Sequence, residues 1–194
     1  PNMVEMTRQI VQAVKLPVTV KTRLGWDQQS KNIEEIALRL QDVGIEALTI
    51  HGRTRAQMYK GEADWTLIGA VKNNPLIRIP IIGNGDIDSG EKARQMIDRY
   101  GVDGLMIGRA TFGRPWIFRE VRHYLETREP LPQPTVPERV ELDKEHLQKS
   151  VELKGEKSGV LELRRHLSSY FKGLPVVRET RARLVTEPEA AGVV

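Results

Sequence analysis

Polar and charged side chains follow each of four short apolar runs in the first 110 residues of this chain. The four groups are Lys21-Thr22-Arg23, His51-Gly52-Arg53, Gly83-Asn84-Gly85-Asp86 and Gly108-Arg109. In folds built from βα units, the loops after the strands meet at one edge of the sheet, and ligand sites are built there. The pattern therefore predicts one composite binding site, although any single Lys or His among them also fits a solvated or capped loop position.

Glycine-rich turns beside an arginine indicate a site for a phosphate. Glycines after a buried strand let backbone N–H groups approach a phosphate, and a following helix N-terminus adds a favourable dipole. Arg109 would supply bidentate donors. The alternative interpretation of Gly83–Asp86 and Gly108–Arg109 is two ordinary tight turns.

Two further side chains suit a ligand that carries negative charge. Lys21 at a strand end is a cation of the kind that flavin enzymes place near the ring carbonyl, and a salt bridge at the end of the sheet would explain it equally. His51 can donate to a ligand or titrate, or it can be a structural histidine. Their occurrence together with the glycine-rich turns favours the functional interpretation.

Two basic segments have the composition of an RNA-binding surface, because cations bind phosphates and aromatic rings stack on unpaired bases. Residues 52–61 contain three cations, one aromatic ring and no acid. The candidate contacts in this loop are Arg53, Arg55, Tyr59 and Lys60. Residues 160–186 carry six basic and two acidic side chains, a net charge of +4. The candidate contacts there are Arg164, Arg165, Lys172 and Arg178. A solvated loop and a solvated helix face are the alternatives.

The apolar runs and the helical patterns between them predict four βα units and hence an α/β fold with a parallel sheet. The predicted strands are Pro17–Lys21, Ala47–Ile50, Ile79–Ile82 and Gly104–Ile107. Asp64 and Asp88 are the predicted N-caps of the second and third helices, and Gly44 and Gly101 are the predicted ends of the first and third. A further amphipathic helix precedes the first strand, which indicates a βα series that is truncated at its start.

The C-terminal part contains no further strand pattern. A helix is predicted over Trp116–Thr127, followed by a linker at Glu129–Pro137 with four prolines in nine residues. The predicted helices of the tail are Pro137–Lys154, Val160–Lys172 and Val176–Val185, separated by Gly155, Gly159 and Gly173. The predicted organisation is a βα domain over residues 1–128, a linker over 129–137 and a helical domain over 138–194.

The composition, with 39% hydrophobic and 29% charged residues, is that of a globular protein. The absence of cysteine excludes disulfide frameworks, Cys-ligated zinc and thiol catalysis from this chain, and no metal site is predicted. No run approaches the roughly 18 to 20 apolar residues of a membrane span, and the N-terminus lacks the order of a signal peptide. A soluble, cytoplasmic protein is expected, and its net charge of +4 is only weak evidence for a polyanionic partner.

Several strings in this chain resemble the FMN-dependent tRNA-dihydrouridine synthases, most of all the bacterial B-type branch. They are Pro17-Val-Thr-Val-Lys-Thr-Arg-Leu-Gly-Trp26, Ala47-Leu-Thr-Ile-His-Gly-Arg-Thr-Arg55, Gly83-Asn-Gly-Asp86, Leu105-Met-Ile-Gly-Arg-Ala110 and Gly113-Arg-Pro-Trp-Ile-Phe118. The resemblance runs from Pro17 to Phe118 and continues more loosely into the helical tail.

The resemblance implies the last four units of a (β/α)8 TIM barrel that holds FMN, followed by a helical bundle that helps to clamp tRNA. Family members use NADPH to reduce the flavin, and the flavin reduces the C5=C6 bond of a uridine. The residues that would bind the cofactor are Lys21, His51, Asn84, Gly85, Asp86, Gly108 and Arg109. The residues that would lie near the RNA are Arg53, Arg55, Tyr59 and Lys60.

The family's first four strands and its proton-donating cysteine have no counterpart in this sequence. The resemblance therefore predicts the C-terminal part of a synthase, with no catalytic residue in this chain and no activity of its own. The outer strands of such a half barrel would be exposed, so self-association is expected. The alternatives are an RNA-binding module without activity and another FMN-binding barrel, such as a dihydroorotate-dehydrogenase-like enzyme, although a small-substrate barrel has no use for a basic helical tail.

Overall fold

The computed structural model describes residues 2–172 together with residues 182, 183, 186 and 190, without the side chains of residues 165 and 168. The strands are β1 (Thr19–Arg23), β2 (Ala47–His51), β3 (Ile81–Asn84) and β4 (Gly104–Met106). The helices are α1 (Asn2–Ala13), α2 (Ile33–Asp42), α3 (Thr66–Lys72), α4 (Gly90–Tyr100), α5 (Ile117–Thr127), α6 (Val136–Lys154) and α7 (Glu156–Tyr170). Of the predicted helix Val176–Val185 only residues 182 and 183 are described, and the glycine at 173 lies outside the described residues.

The four strands form one parallel sheet in the order β1-β2-β3-β4, with a helix between each pair of neighbouring strands. The α/β class and the four βα units are thus confirmed, and they form the partial barrel that was expected. The chain divides into two compact units. The first comprises Pro1–Gly108 and Val121–Arg128, and the second comprises Arg109–Glu120 and Glu129–Val194.

Two strands begin two residues later than predicted, and a proline accounts for each shift. Proline has no N–H to donate to a ladder, so pairing with the neighbouring strand starts beyond Pro17 at Thr19 and beyond Pro80 at Ile81. The strands extend to Arg23 and Asn84, each two residues beyond its predicted end. Lys21, predicted as the last residue of the first strand, therefore lies in its middle, and Arg23, predicted to follow the strand, is its last residue.

One face of the sheet packs against helices α2, α3 and α4. Leu48, Ile50 and Ile81 on this face have no exposed surface. The helix residues that are buried with them include Ala37, Leu40, Ile68, Val71, Ala93 and Met96. Because side chains alternate between the faces of a strand, the opposite face carries Lys21, Arg23, Thr49, His51 and Asn84.

The helix ends follow the expected chemistry with two corrections. Gly101 ends α4 with φ +68°, as predicted. The N-cap of α4 is Ser89, whose hydroxyl accepts the N–H of Lys92 at 3.1 Å, and not Asp88. The N-cap position of α3 is Trp65, while the carboxylate of Asp64 accepts the Thr66 N–H at 3.0 Å from one residue further back.

In the second unit, α6 and α7 pack on each other through Leu147, Val160, Leu163 and Leu167. Val160, Leu163 and Leu167 recur at helical spacing in the sequence, and this apolar stripe of α7 is core. A capping box between Thr135 and Glu138 starts α6 at Val136, so Pro137, the last proline of the segment Glu129–Pro137, lies in the first turn of the helix. Gly155 separates the helices, as predicted, but Gly159 lies inside α7. A Cβ on Gly159 would lie 2.8 Å from the backbone of Ser150 and Val151, so this glycine permits close helix packing instead of ending a helix.

Among the described residues, no helix is long and apolar enough to cross a membrane.

Candidate functional site

The register of the sheet brings polar side chains from three strands onto one face. Arg23, His51 and Asn84 are consecutive partners across β1, β2 and β3, and Met106 continues their row on β4. Lys21 precedes Arg23 by two residues and therefore points to the same face. The first unit thus presents an amine, a guanidinium, an imidazole and an amide side by side, away from the helix-covered core.

His51 is buried at the end of β2, with 6% of its surface exposed. Burial, followed by the positive charges of Arg23, Lys21 and Arg53, lowers its pKa to about 4, against a smaller opposing effect of Asp86. The imidazole is therefore neutral at pH 7. Its Nε2 lies 3.4 Å from Nη1 of Arg53, and since a guanidinium only donates, this contact favours the tautomer that carries the proton on Nδ1.

The other members of the row are held by backbone carbonyls. One guanidinium nitrogen of Arg23 donates to the carbonyls of Thr54 and Met58, each at 2.9 Å, and the amide of Asn84 donates to the Met106 carbonyl at 2.7 Å. Partial burial and the charge of Arg23 lower the pKa of Lys21. Positive potential thus accumulates on this face, which suits an anionic or electron-rich ligand.

The two glycine-rich turns differ in the space around them. Gly85 has φ +135°, and a Cβ there would lie 2.5 Å from the Cβ of Ala63, so packing of the neighbouring loop already requires glycine. Around Gly108, no atom of the described residues outside its chain neighbours lies within 4 Å of the position that a Cβ would take. Arg109 is the first residue of a short 3-10 helix, Arg109–Thr111, and is assigned to the second unit.

Arg53 and Asp86 hold each other, which changes the roles expected for both. Arg53 is 2% exposed, and its guanidinium donates to both carboxylate oxygens of Asp86 at 2.9 and 2.7 Å. As placed, the guanidinium cannot reach an external RNA. The carboxylate of Asp86 also accepts the Ala63 N–H at 2.8 Å, so it supports the loop and is a poor partner for a phosphate of the same charge.

The remaining loop candidates lie at the surface. Arg55, Tyr59 and Lys60 are exposed, and the ring centroid of Tyr59 is 6.5 Å from that of His51. The guanidinium carbon of Arg23 lies 5.9 Å from the centroid of the Tyr59 ring. The loop therefore brings an exposed aromatic ring and two exposed cations next to the polar face of the sheet.

The candidates in the tail are only partly described. Arg164 is partly buried on α7 and donates to the Thr186 carbonyl at 3.4 Å. Lys172 is exposed just beyond the end of α7. The side chain of Arg165 and the whole of Arg178 lie outside the description.

Sequence reasoning missed the role of Arg23 and a buried carboxyl group in the second unit. Arg23 stands two residues after Lys21, and that spacing alone places both on one face of a strand. Asp143 is 6% exposed, its Oδ1 has no hydrogen-bond partner among the described residues, and burial raises its pKa to about 7. Its position within a helical pattern gives no sign that it faces inward.

Residues 2–191 match the family model described as dihydrouridine synthase. The tRNA-dihydrouridine synthase B of Pseudomonas aeruginosa is 48% identical over 179 residues, which are 92% of this chain and 53% of the relative. The probable tRNA-dihydrouridine synthase of Rickettsia bellii is 42% identical over 182 residues, 93% of this chain and 55% of the relative.

The chain therefore spans about half the length of the curated relatives it matches. Among solved structures, a mandelate oxidase aligns with 96% of this chain and 66% of its own length, at 17% identity and a TM-score of 0.35. That likeness is too weak to carry an argument.

Proposed function

This chain belongs to the dihydrouridine synthase family, and from that premise we propose that it forms the flavin-binding and RNA-binding side of a tRNA-dihydrouridine synthase. The observation that carries the proposal is the polar face of the sheet, where Lys21, His51 and Asn84 project from three neighbouring strands. Family membership alone does not say where these side chains lie. The parallel register aligns the strand ends and so brings these side chains next to one another.

The donor set on this face fits FMN. A flavin has carbonyl oxygens and a ring that becomes negatively charged on reduction, and its tail ends in a phosphate, so it requires donors and cations. Lys21, Arg23 and His51 provide these, and the nearby carboxylate of Asp86 is neutralised by Arg53. When bound, FMN would supply hydride transfer, taking reducing equivalents from NADPH and delivering them to the C5=C6 bond of a uridine in tRNA.

Each residue then has a distinct task. Lys21 would stabilise negative charge on the ring, and the neutral His51 would donate from Nδ1. Asn84, Gly85 and Gly108 would hold the ribityl phosphate end with their N–H groups, and Arg109 stays a prediction for the same role. Asp86, expected in this group, would act indirectly through the loop that it supports.

The RNA would lie across the exposed loop beside this face. Arg55 and Lys60 would contact phosphates and Tyr59 would stack on a base, as in other sites for unpaired RNA. In the tail, Lys172 would contribute, and Arg164, Arg165 and Arg178 stay predictions for the same role. The proposal places the protein in the cytoplasm, and the outer strands β1 and β4 would allow self-association through their free edges.

The chain contains no cysteine, whereas the family resemblance implies a cysteine that protonates the uracil ring. We therefore propose that the 194-residue chain binds FMN and tRNA but does not form dihydrouridine by itself, because general acid catalysis contributes about 10² to 10⁴-fold. This observation also keeps an RNA-binding module without activity as the second candidate. Retention of FMN by the purified chain distinguishes the two.

The test is a titration with FMN, monitored by flavin fluorescence, of the wild-type chain and of the variants Lys21→Met and Arg109→Ala. Loss of a charge-assisted hydrogen bond is expected to weaken FMN binding about ten- to a hundredfold. Lys15→Met is the matched control, because Lys15 is exposed outside the sheet, and its affinity should equal that of wild type. Equal affinity in all four proteins, or dihydrouridine formed from unmodified tRNA by the chain alone, would contradict the proposal.

A further inference from the structure

Arg53 is the largest fully buried side chain among the described residues. A guanidinium removed from water to this extent requires an opposite charge and partners for its N–H groups. Asp86 supplies the charge through two parallel bonds of 2.9 and 2.7 Å. Nε of Arg53 donates to the Lys60 carbonyl at 3.3 Å, and Nη2 donates to the Gly61 carbonyl.

These bonds join the two ends of one segment. Arg53 begins the loop of residues 53–63, here called the basic loop, and Ala63 ends it with its N–H on the same Asp86 carboxylate at 2.8 Å. The backbone carbonyls of Lys60 and Gly61 curl back onto the guanidinium between these two points. The basic loop is thus folded around its own buried charge.

Further bonds fix the outer part of the basic loop. Thr54 and Gln57 exchange backbone-to-side-chain bonds of 2.8 and 3.3 Å, and Arg23 on β1 donates to the carbonyls of Thr54 and Met58. Arg55, Tyr59 and Lys60 remain exposed. One cation of the loop is therefore internal, and the other two point outward.

We infer that Arg53, through its ion pair with Asp86, is a positioning residue that holds the basic loop in a preformed shape, with Tyr59 beside His51 and two cations directed at the RNA. A preformed loop binds more tightly than a disordered one, because the ordering cost does not fall on the binding step. The part that concerns RNA rests on the proposed function. The part that concerns the shape of the loop does not.

The test is limited trypsin digestion, since Arg55 and Lys60 are exposed cleavage sites within the basic loop. The variant is Arg53→Met with Asp86→Asn, which removes both charges together and leaves no unpaired buried ion. Cleavage after Arg55 and Lys60, followed by mass spectrometry, is expected to accelerate at least about tenfold, because cleavage reports local opening. Cleavage after Lys92 and Arg94 on α4 serves as the internal reference.

The matched control is Lys72→Met with Asp103→Asn. This pair has the same arrangement outside the basic loop. The carboxylate of Asp103 lies 2.7 Å from Nζ of Lys72 and accepts the backbone N–H of Ile81 at 2.8 Å. Both double variants leave the net charge unchanged. The control should leave loop cleavage at the wild-type rate. Unchanged loop cleavage in the Arg53 and Asp86 variant, or equal acceleration at the loop and the α4 sites, would overturn the inference.

Ligand binding separates this inference from the proposed function. The Arg53 and Asp86 variant should bind tRNA about tenfold more weakly than wild type. If this variant loses FMN affinity while its basic loop is cleaved at the wild-type rate, Asp86 is a cofactor ligand and the inference is overturned. If the wild-type chain binds neither FMN nor tRNA, the proposed function fails, and the trypsin comparison still decides the role of Arg53. A single Arg53→Lys variant that resists digestion as well as wild type would support the inference, because the ion pair with Asp86 would then hold the loop without the bonds to the Lys60 and Gly61 carbonyls.

Discussion

The indole ring of Trp65 fills the space beside Gly83 in which a Cβ atom would lie, 2.1 Å from Cζ3 of the ring. The indole N–H donates to the Gly85 carbonyl at 3.1 Å, and the ring stacks on Tyr100 at a centroid distance of 6.0 Å. The ring is therefore fixed from two sides. Through these contacts the residue that precedes α3 sets the position of the polar end of β3.

Gly83→Ala is expected to destabilise the chain by about 1 to 3 kcal/mol, because the added methyl group overlaps a ring that cannot move without losing its hydrogen bond. The measurement is the midpoint of urea unfolding. Gly104→Ala is the control on β4, where a Cβ would make an ordinary contact at 3.5 Å. Equal unfolding midpoints for the two variants would contradict the prediction, because they would show that the Trp65 ring can move aside at little cost.

His51 should make stability fall with acid. Its pKa is about 4 in the folded chain and about 6.5 when unfolded, so between these values the unfolded state binds more protons. The contribution present above pH 6.5 is lost as the pH falls toward 4, by about 2 kcal/mol at pH 5. Urea unfolding of His51→Gln at pH 7 and pH 5 should show a correspondingly smaller loss than wild type. If wild type and His51→Gln lose the same stability between pH 7 and pH 5, a group other than His51 causes the pH dependence.

Asp143 should have the opposite effect in the second unit. Burial raises its pKa to about 7, so the folded state keeps a proton that the unfolded state releases near pH 4. The contribution of protonated Asp143 to the free energy of unfolding is complete at low pH and is lost as the pH rises through 7. Asp143→Asn cannot ionise and should be more stable than wild type at pH 8, by on the order of 2 to 4 kcal/mol. The gain should vanish at pH 4, and a gain independent of pH would contradict the assignment.

Gly159→Ala should reverse the usual preference of helices for alanine. An exposed helical glycine replaced by alanine gains about 0.5 to 1 kcal/mol, but here the methyl group would lie 2.8 Å from the backbone of α6. A loss of about 1 to 3 kcal/mol is expected instead. Ser158→Ala, at an exposed position of the same helix, should have a small effect. Thermal unfolding of the two variants gives the comparison.

The exposed cations of the basic loop should determine the salt dependence of tRNA binding. Arg55→Ala with Lys60→Ala is expected to reduce the slope of log K against log salt by up to about 2 units, because each phosphate contact releases condensed counterions. FMN affinity should stay unchanged. Lys15→Ala with Arg78→Ala removes two exposed cations elsewhere on the first unit. If this control flattens the slope equally, binding reflects net charge and not the loop.

The sequence by itself determined the α/β class, the four βα units and the convergence of polar groups at the strand ends. It also determined the core stripe of α7, with Val160, Leu163 and Leu167 at helical spacing. These features depend on residue type and short-range periodicity, which a single chain displays directly. The two strand starts depended on prolines, whose missing N–H groups are likewise visible in the sequence.

Only the tertiary structure decided which charged groups face outward. Arg53 and Arg55 are two residues apart in one basic loop, yet the first is buried and the second is exposed. Asp86, 33 residues away, makes the difference, because a guanidinium is buried only where a distant carboxylate compensates its charge. Asp143 and Gly159 likewise owe their roles to packing between helices. Burial of a charge and close contact of two backbones depend on partners far along the chain, and no local pattern specifies those partners.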